Sequence, residues 1–216
     1  MRQAVFLDRD GVLNRTVTRA DGTAGSPRHA ADFALLPGVA EAVRSLRRAG
    51  LVAVVVTNQP DLARAQLDWR ELQHMHQQLR RWVRVDAVLF CPHDDRDQCF
   101  CRKPRPGMLT RASRAFGLEL RQSFMIGDSP KDIAAGRAAG CRTILVGPGA
   151  SRAVASTDWY AENLPSAAAM VLRALAPSTA PQLLAEFEQR FEQPAASPNT
   201  SLRRVSTRRS ADPVLS

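Results

Sequence analysis

The sequence predicts an α/β fold built on a doubly wound parallel sheet. Apolar runs rich in β-branched residues alternate with amphipathic segments along most of the 216 residues. The run 51–56 is apolar throughout, which is typical of a strand buried on both faces. The segment before it has helical periodicity from Val39 and ends at Gly50, a residue that favours a helix C-terminus. We therefore expect parallel strands with helices packed on both sides of the sheet.

Five strands and five helices are expected in this alternating order. The strands are predicted at 5–7, 51–56, 86–90, 123–126 and 143–146. The helices are predicted at 39–49, 67–82, 107–116, 130–139 and 165–176. Residues 15–36 lack periodicity, and a long loop directly after a strand is typical of a cover over a functional site.

The composition changes beyond residue 176. Residues 194–216 are rich in Ser, Thr, Pro and Arg and hold few large apolar residues, which predicts disorder. One short amphipathic helix is expected at 182–191. Since the chain is 44% hydrophobic and long enough for one well-packed domain, we place a domain at 1–176 and a tail at 177–216.

The net charge, the aromatic content and the lengths of the apolar runs narrow the class of protein. The formal net charge is +9, but all except two of the 30 basic residues are arginine, and aromatic residues make up only 6%. Because the arginines are spread along helices without interleaved aromatics, a nucleic-acid partner is not expected. No apolar run approaches the length of a membrane span, and no signal-peptide core is visible. We expect a cytoplasmic monomer.

The most informative motif follows the first predicted strand. The apolar run 5–7 leads directly into Asp8 and Asp10, and Gly11 follows. Period-two geometry directs both carboxylates to the same side at the carboxyl end of the strand, where open α/β sheets bind ligands. Two adjacent carboxylates repel unless a cation lies between them or one of them holds a proton. The pair indicates a metal site or a nucleophile beside a general acid, although many Asp-x-Asp-Gly segments are turns or calcium loops.

Polar residues follow the other predicted strands as well. The stretch 57–59, Thr-Asn-Gln, follows the second strand, and Asp128 follows the fourth. The carboxyl ends of parallel strands meet at one edge of a sheet, so Asp128 can join Asp8 and Asp10 in an oxygen cage of the kind that Mg²⁺ prefers. The alternative for Asp128 is a plain helix N-cap.

A cysteine–histidine motif follows the third predicted strand. Its pattern is Cys-x-His-x5-Cys-x-Cys, and its four side chains fall within 11 residues: Cys91, His93, Cys99 and Cys101. These ligands suit a closed tetrahedral Zn²⁺ site, which predicts a structural zinc that holds the loop. The alternative is three free cysteines and a surface histidine. Cys141 stands alone and is expected to be a core residue.

Two cations follow this motif directly. Lys103 is one of only two lysines in the chain, and Arg102 precedes it. A lysine ammonium suits a phosphoryl oxygen, and an arginine fork suits a second anion. Because Pro104 and Pro106 restrict the backbone that follows, zinc binding is expected to set the position of both cations. The alternative for Arg102 is a solvated surface side chain.

The motifs that follow the predicted strands, taken in their order along the chain, resemble those of the haloacid dehalogenase superfamily over residues 4–150. The matching residues, taken motif by motif, are Asp8 with Asp10, Thr57, Lys103, and Asp128 with Asp132. The cysteine–histidine loop is similar to that of a narrower group, the zinc-containing phosphatases of heptose bisphosphate and of histidinol phosphate. Residues 57–64 also resemble that group's Thr-Asn-Gln … Ala-Arg-Gly stretch. Ala65 stands where the group usually has glycine, and its Gly-Tyr pair is absent between Asn14 and Arg28.

The resemblance implies a Rossmann-like fold of the haloacid dehalogenase type without a large cap domain. It implies a phosphatase in which Asp8 attacks phosphorus and forms an aspartyl-phosphate. Mg²⁺ is then expected to be bound by Asp8, the backbone carbonyl of Asp10 and Asp128, with Asp10 as the general acid and base. Thr57 and Lys103 are expected to stabilise the transferring group.

The implied substrate is a small phosphorylated sugar, with loss of the C7 phosphate from D-glycero-D-manno-heptose 1,7-bisphosphate. Asp132 is expected to orient Lys103 or a metal-bound water, and Arg102 to grip the second phosphate. The residues expected to contact the substrate are Asn14, Asn58, Gln59, Arg64 and Arg102. Two alternatives stay open: a histidinol-phosphate or other small phosphate-ester phosphatase of the same fold, and a nucleic-acid end phosphatase recruited by the basic charge.

Overall fold

The structure, a computed structural model, describes residues 2–147 and 157–175. The strands in this part of the chain are β1 (Ala4–Leu7), β2 (Val17–Thr18), β3 (Ala24–Gly25), β4 (Val52–Asn58), β5 (Ala87–Cys91), β6 (Phe124–Gly127), β7 (Arg142–Val146) and β8 (Trp159–Ala161). The helices there are α1 (Val39–Arg48), α2 (Trp69–Val83), α3 (Gly107–Phe116), α4 (Pro130–Ala139) and α5 (Leu164–Leu175). The predicted helix at 182–191 and the predicted tail lie outside the described residues.

The main sheet is parallel, and its described strands follow the order β5-β4-β1-β6-β7-β8. The chain moves from β1 outward to one edge, returns, and then moves outward to the other edge through β6. Loops that leave the carboxyl ends of β1 and β6 therefore diverge, which opens a crevice between them. Asp8 follows β1 and Asp128 follows β6, so the topology brings both to this crevice.

Alternation along the central strands supplies two hydrophobic cores. Val5 and Leu7 of β1 belong to the core under α1, α2 and α5, whereas Ala4 and Phe6 belong to the core under α3 and α4. Successive side chains of a strand point to opposite faces, so a run that is apolar throughout fills both cores. The predicted doubly wound sheet is confirmed. Cys141 lies in the second core, as expected.

Two parts of the sequence prediction are incomplete. The strand β8 was not expected, because a three-residue strand is too short for its periodicity to be recognised. Residues 15–36, expected as a loop, contain the antiparallel hairpin β2–β3, whose strands have two residues each. The described residues hold no second domain between β1 and α1. None of the described helices combines the length and apolar character needed to cross a bilayer.

Candidate active site

Three carboxylates meet in the crevice beyond β1 and β6. A carboxylate oxygen from each of Asp8, Asp128 and Asp132 lies within 4.8 Å of the others, so this carboxylate group could hold a metal ion. Gly11 permits the approach, since its φ is 85° and a Cβ there would lie 2.0 Å from Asp128 Oδ2. The structure thus brings Asp128 to Asp8, as the sequence predicts, and adds Asp132 from the first turn of α4.

Lys103 is the cation of the carboxylate group. Its Nζ lies 2.6 Å from Asp8 Oδ1 and 2.5 Å from Asp132 Oδ1, and it donates a hydrogen bond to Val56 O at 2.7 Å. The side chain of Asn58 holds the Lys103 backbone, because Nδ2 donates to its carbonyl at 3.0 Å and Oδ1 accepts from its N–H at 3.1 Å. Strand β4 therefore sets the direction in which Lys103 points.

The charge balance of the carboxylate group is negative. Burial raises the pKa of Asp8 to about 8, although Lys103 opposes this shift, and burial also raises the pKa of Asp128 to about 6. Burial alone would lower the pKa of Lys103, but the charges of Asp132 and Asp8 raise it above its usual value. Three carboxyl groups thus share one lysine, and a divalent cation would relieve their repulsion.

The Asp10 carboxylate is surrounded by hydrogen-bond donors. Arg9 Nη2 lies 3.0 Å from both of its oxygens. Each of the other donors lies at 2.9 Å: Asn14 Nδ2, Ser26 Oγ and Gln59 Nε2. Burial alone would raise the pKa of Asp10, but the charge of Arg9 and hydrogen bonds from Asn14, Arg9 and Ser26 hold it below its usual value. The metal contact expected through the Asp10 backbone carbonyl stays a prediction.

Arg9 is a site residue that the sequence analysis missed. It is completely buried, its Nη1 lies 3.5 Å from His76 Nε2, and its guanidinium lies 5.8 Å from the centre of the Phe33 ring. Burial, together with the charge of Arg9, lowers the pKa of His76 to about 3, so the ring is neutral and does not repel the guanidinium. An arginine between two aspartates in a buried segment was the available signal, because a buried arginine needs an acidic partner.

A cleft of about 130 Å³ opens onto these groups. It is lined by Asp8, Asp10, Ser26, Thr57, Asn58, Lys103, Ser129, Lys131 and Asp132. Two of the residues expected to contact the substrate, Asn14 and Gln59, are completely buried and do not line this cleft. They hold Asp10 instead, and Gln59 Nε2 also donates to Thr57 Oγ1 at 3.0 Å.

The cysteine–histidine motif forms a compact cluster beyond β5. Cys101 Sγ lies 3.3 Å from Cys91 Sγ, 3.5 Å from Cys99 Sγ and 3.3 Å from His93 Nδ1. Tetrahedral zinc with Zn–S bonds of about 2.3 Å separates its sulfur ligands by roughly 3.8 Å, so the four donors have nearly the spacing of a zinc site. Burial raises the pKa of the Cys91 thiol, which favours a protonated sulfur unless a cation is bound. This cluster could hold a metal ion.

The two arginines expected to contact the substrate are paired with acidic residues of the same loop. Arg102 binds Asp95 through Nε at 2.7 Å and Nη2 at 3.0 Å, and its Nη1 donates to His93 O at 3.2 Å. Arg64 binds both oxygens of Asp94, at 2.8 and 2.9 Å. Neither arginine is among the residues that line the cleft at Asp8. Arg102 is thus tied to the cysteine–histidine loop.

Known proteins are similar to this chain in sequence and fold. Residues 100–176 match the HAD-hydrolase-like family model. The D-glycero-beta-D-manno-heptose-1,7-bisphosphate 7-phosphatase of Pseudomonas aeruginosa is 36% identical over 68% of this chain and 83% of that protein. The D-glycero-D-manno-heptose-1,7-bisphosphate 7-phosphatase of Thermosynechococcus vestitus is also 36% identical, over 82% of this chain and 98% of that protein. This chain belongs to the heptose-bisphosphate phosphatase family.

The fold of the family agrees with this assignment. The crystal structure of D,D-heptose 1,7-bisphosphate phosphatase from Bordetella bronchiseptica, complexed with magnesium and phosphate, has a TM-score of 0.69 and 32% identity, covering 80% of this chain and 99% of that chain. The predicted superfamily, fold type and phosphatase class are therefore confirmed. Ala65, which replaces the glycine usual in the family, has a φ of 54°, in the left-handed region that favours glycine.

Proposed function

We propose that this member of the heptose-bisphosphate phosphatase family is a magnesium-dependent phosphatase that removes the C7 phosphate of D-glycero-D-manno-heptose 1,7-bisphosphate. One observation carries the proposal: the Asp8 carboxylate lies 2.6 Å from Lys103 Nζ at the edge of the cleft. A nucleophile thus stands beside the cation needed for a transferring phosphoryl group. The names of the Pseudomonas and Thermosynechococcus relatives support the choice of sugar.

The carboxylate group fits Mg²⁺, because its donors are hard oxygens that carry excess negative charge. Asp8, Asp128 and the backbone carbonyl of Asp10 would hold the ion. When bound, Mg²⁺ neutralises charge on the phosphate and lets an anionic nucleophile approach it. The Bordetella enzyme was solved with magnesium and phosphate, which supports this assignment.

The reaction proceeds in two halves on this chain's own residues. Asp8 attacks phosphorus and forms an aspartyl-phosphate while the alkoxide leaves. Thr57 and Lys103 donate hydrogen bonds to the equatorial oxygens. Asp10 protonates the alkoxide, since the incoming phosphate adds negative charge that raises its low pKa towards the protonated form. Asp10 then takes a proton from the water that hydrolyses the aspartyl-phosphate, which releases phosphate and restores Asp8. Asp132 orients Lys103 through their ion pair.

The cysteine–histidine cluster fits Zn²⁺ as a closed site. Its three thiolates and one imidazole fill the four positions of a tetrahedron and leave none for substrate; they belong to Cys91, Cys99, Cys101 and His93. Arg102 and Lys103 directly follow Cys101, so a bound zinc would fix both cations relative to Asp8. We assign zinc a structural role in positioning them.

Lys131 lines the cleft, and Arg102 lines a separate pocket that shares Lys103 with it, so basic side chains are available for a second phosphate. Arg102 and Lys131 share one carboxylate, Asp95, with Lys131 Nζ at 3.5 Å, so one positive charge is left over. Arg102 is proposed to turn part of its fork towards the distal phosphate of the sugar. Asn14 and Gln59 act on the reaction through Asp10. A cytoplasmic location and a monomeric state stay predictions.

A panel of phosphate esters tests the proposal. With Mg²⁺ present, kcat/KM is measured on heptose 1,7-bisphosphate, histidinol phosphate and a 5′-phosphorylated DNA end, with D8N as the inactive control. We expect the heptose bisphosphate to be the best substrate, with the phosphate lost from C7. A higher kcat/KM on histidinol phosphate, or on the DNA end with steep salt dependence, would replace the proposed substrate.

A further inference from the structure

One acidic residue outside the predicted motifs joins several basic side chains beside the cleft. Asp61 Oδ2 lies 3.0 Å from Arg19 Nη2 and 2.8 Å from Arg28 Nε, and Asp61 Oδ1 lies 3.7 Å from Arg64 Nη1. The Asp61 side chain is only 8% exposed, so these pairs are less screened than surface ion pairs. Asp61 is therefore paired with Arg64 of its own loop and with two arginines of the distant segment 15–36.

Two of these arginines flank Ser26 on the segment that carries the β2–β3 hairpin. Arg19 directly follows β2, and Arg28 lies three residues beyond the end of β3. A hairpin with two residues in each strand cannot hold a fixed position by its own pairing. Its position over the cleft therefore depends on contacts with the rest of the domain. Asp61 supplies such contacts from the loop after β4.

Ser26 is the residue of this segment that reaches the cleft. Its Oγ donates to Asp10 Oδ2 at 2.9 Å and lines the same cleft as Asp8 and Lys103. The other described partners of the Asp10 side chain bind it through N–H groups, which only donate. A hydroxyl both donates and accepts, so Ser26 is the described partner of Asp10 that can also hydrogen-bond a leaving-group hydroxyl or a water.

We propose that Asp61 is a positioning residue: through Arg19 and Arg28 it holds the β2–β3 hairpin against the cleft and places the Ser26 hydroxyl on Asp10. The inference rests on the proposed function, because it assumes that Asp10 serves a phosphatase reaction. It adds that the segment 15–36 contributes to turnover, and that its contribution depends on a carboxylate in a different loop.

A double-mutant cycle tests this inference. The variants are D61N, S26A and the double variant, with kcat and KM measured on the heptose bisphosphate and on an aryl phosphate. D61N and S26A should each lower kcat about tenfold with KM changed less than about twofold, the size of loss that follows from a small misplacement of a catalytic group. The double variant should lose no more than either single variant, because both changes remove the same contact. D61E should recover part of the lost kcat.

A matched control separates positioning from general stability. Asp86 forms a similar pair with Arg47, at 2.7 Å, beyond the opposite ends of the strands, so D86N should lower the unfolding temperature without changing kcat. Unchanged kcat in D61N, or multiplicative losses in the double variant, would overturn the inference. If D61N does not fold, R19Q and R28Q replace it under the same criteria, since these side chains are 30% and 31% exposed. If the enzyme hydrolyses the aryl phosphate but not the heptose bisphosphate, the proposed substrate is refuted, and the aryl phosphate assay still tests the role of Asp61.

Discussion

The carboxylate group and the cysteine–histidine cluster are assembled in opposite ways. The cluster draws all four ligands from the 11 residues 91–101. The carboxylate group combines Asp8 with Asp128 and Asp132 from a distant segment, and the pairing of β1 with β6 brings them together. The cluster is therefore built by local spacing, whereas the carboxylate group is built by topology.

The two sites also differ in how a substitution should affect the reaction. The carboxylate group is a buried balance of opposite charges, so the loss of one member changes the pKa of the others. The cysteine–histidine cluster shares no residue with this balance, and we expect its effect on the reaction to pass through the two cations that follow Cys101. Substitutions in the first should affect chemistry directly, and substitutions in the second should affect it through geometry.

The largest expected effect belongs to D8N. The amide cannot attack phosphorus, so kcat should fall by at least about 10⁴-fold, as for loss of a catalytic nucleophile. Lys103 keeps its partner Asp132, so the protein should remain folded. Steady-state kinetics and thermal unfolding check both statements. Activity near the wild-type level would show that Asp8 is not the nucleophile.

A smaller loss is expected from C101S, which removes one ligand of the cluster. The purified wild type should contain about one zinc per chain, and the variant should lose it. Misplacement of Arg102 and Lys103 should lower kcat and raise KM together, by about 10- to 100-fold in kcat/KM. Added Mg²⁺ should not restore activity, because the two ions prefer different ligands.

C141A is the matched control for C101S, since Cys141 is a buried core cysteine that is not one of the four grouped metal donors. It should retain the zinc and the wild-type kcat. Metal analysis and kinetics of both variants decide the comparison. A zinc-free C101S protein with unchanged kinetics would mean that zinc only holds the loop together.

A third prediction concerns the pH dependence of stabilisation by Mg²⁺. In the metal-free protein the pKa of Asp8 is about 8 and that of Asp128 about 6, so both must lose protons before they bind the ion. The metal-free state thus holds more protons than the bound state between these values, and Mg²⁺ affinity must rise with pH. The rise in unfolding temperature caused by Mg²⁺ should be larger at pH 8 than at pH 6. An equal rise at both values would contradict these pKa shifts, and D8N should reduce the difference.

The smallest effect is expected from removal of residues 177–216. Outside the short predicted helix at 182–191, this part of the sequence has few large apolar residues with which to pack on a domain, so kcat and KM should change less than about twofold. Kinetics of the shortened chain beside the full chain measure the difference. A large fall in kcat would show that the segment contributes to either site, and the domain boundary would have to move beyond residue 176.

Periodicity and strand order made much of this molecule predictable from its sequence. The predicted helices at 39–49 and 130–139 agree with α1 and α4 to within one residue at each end. The strand β8 and the hairpin β2–β3 were not predicted, because strands of two or three residues are too short to show periodicity.

Side-chain burial set the limit of prediction at the site. The sequence motifs predicted Asp8, Lys103 and Asp128 as site residues, and these residues lie together in the structure. Arg9 was missed, and Gln59 was expected to touch the substrate, because the sequence does not show which polar groups turn inward. Those inward groups are the ones that fix Asp10.

The pairing of Asn58 with the main chain of Lys103 has a consequence for the design of altered enzymes. Asn58 donates to the Lys103 carbonyl and accepts from the Lys103 N–H, so these hydrogen bonds do not depend on which side chain residue 103 carries. Any replacement at this position should still project between Asp8 and Asp132. The length and charge of the side chain at position 103 can thus be varied while the backbone that carries it stays in place.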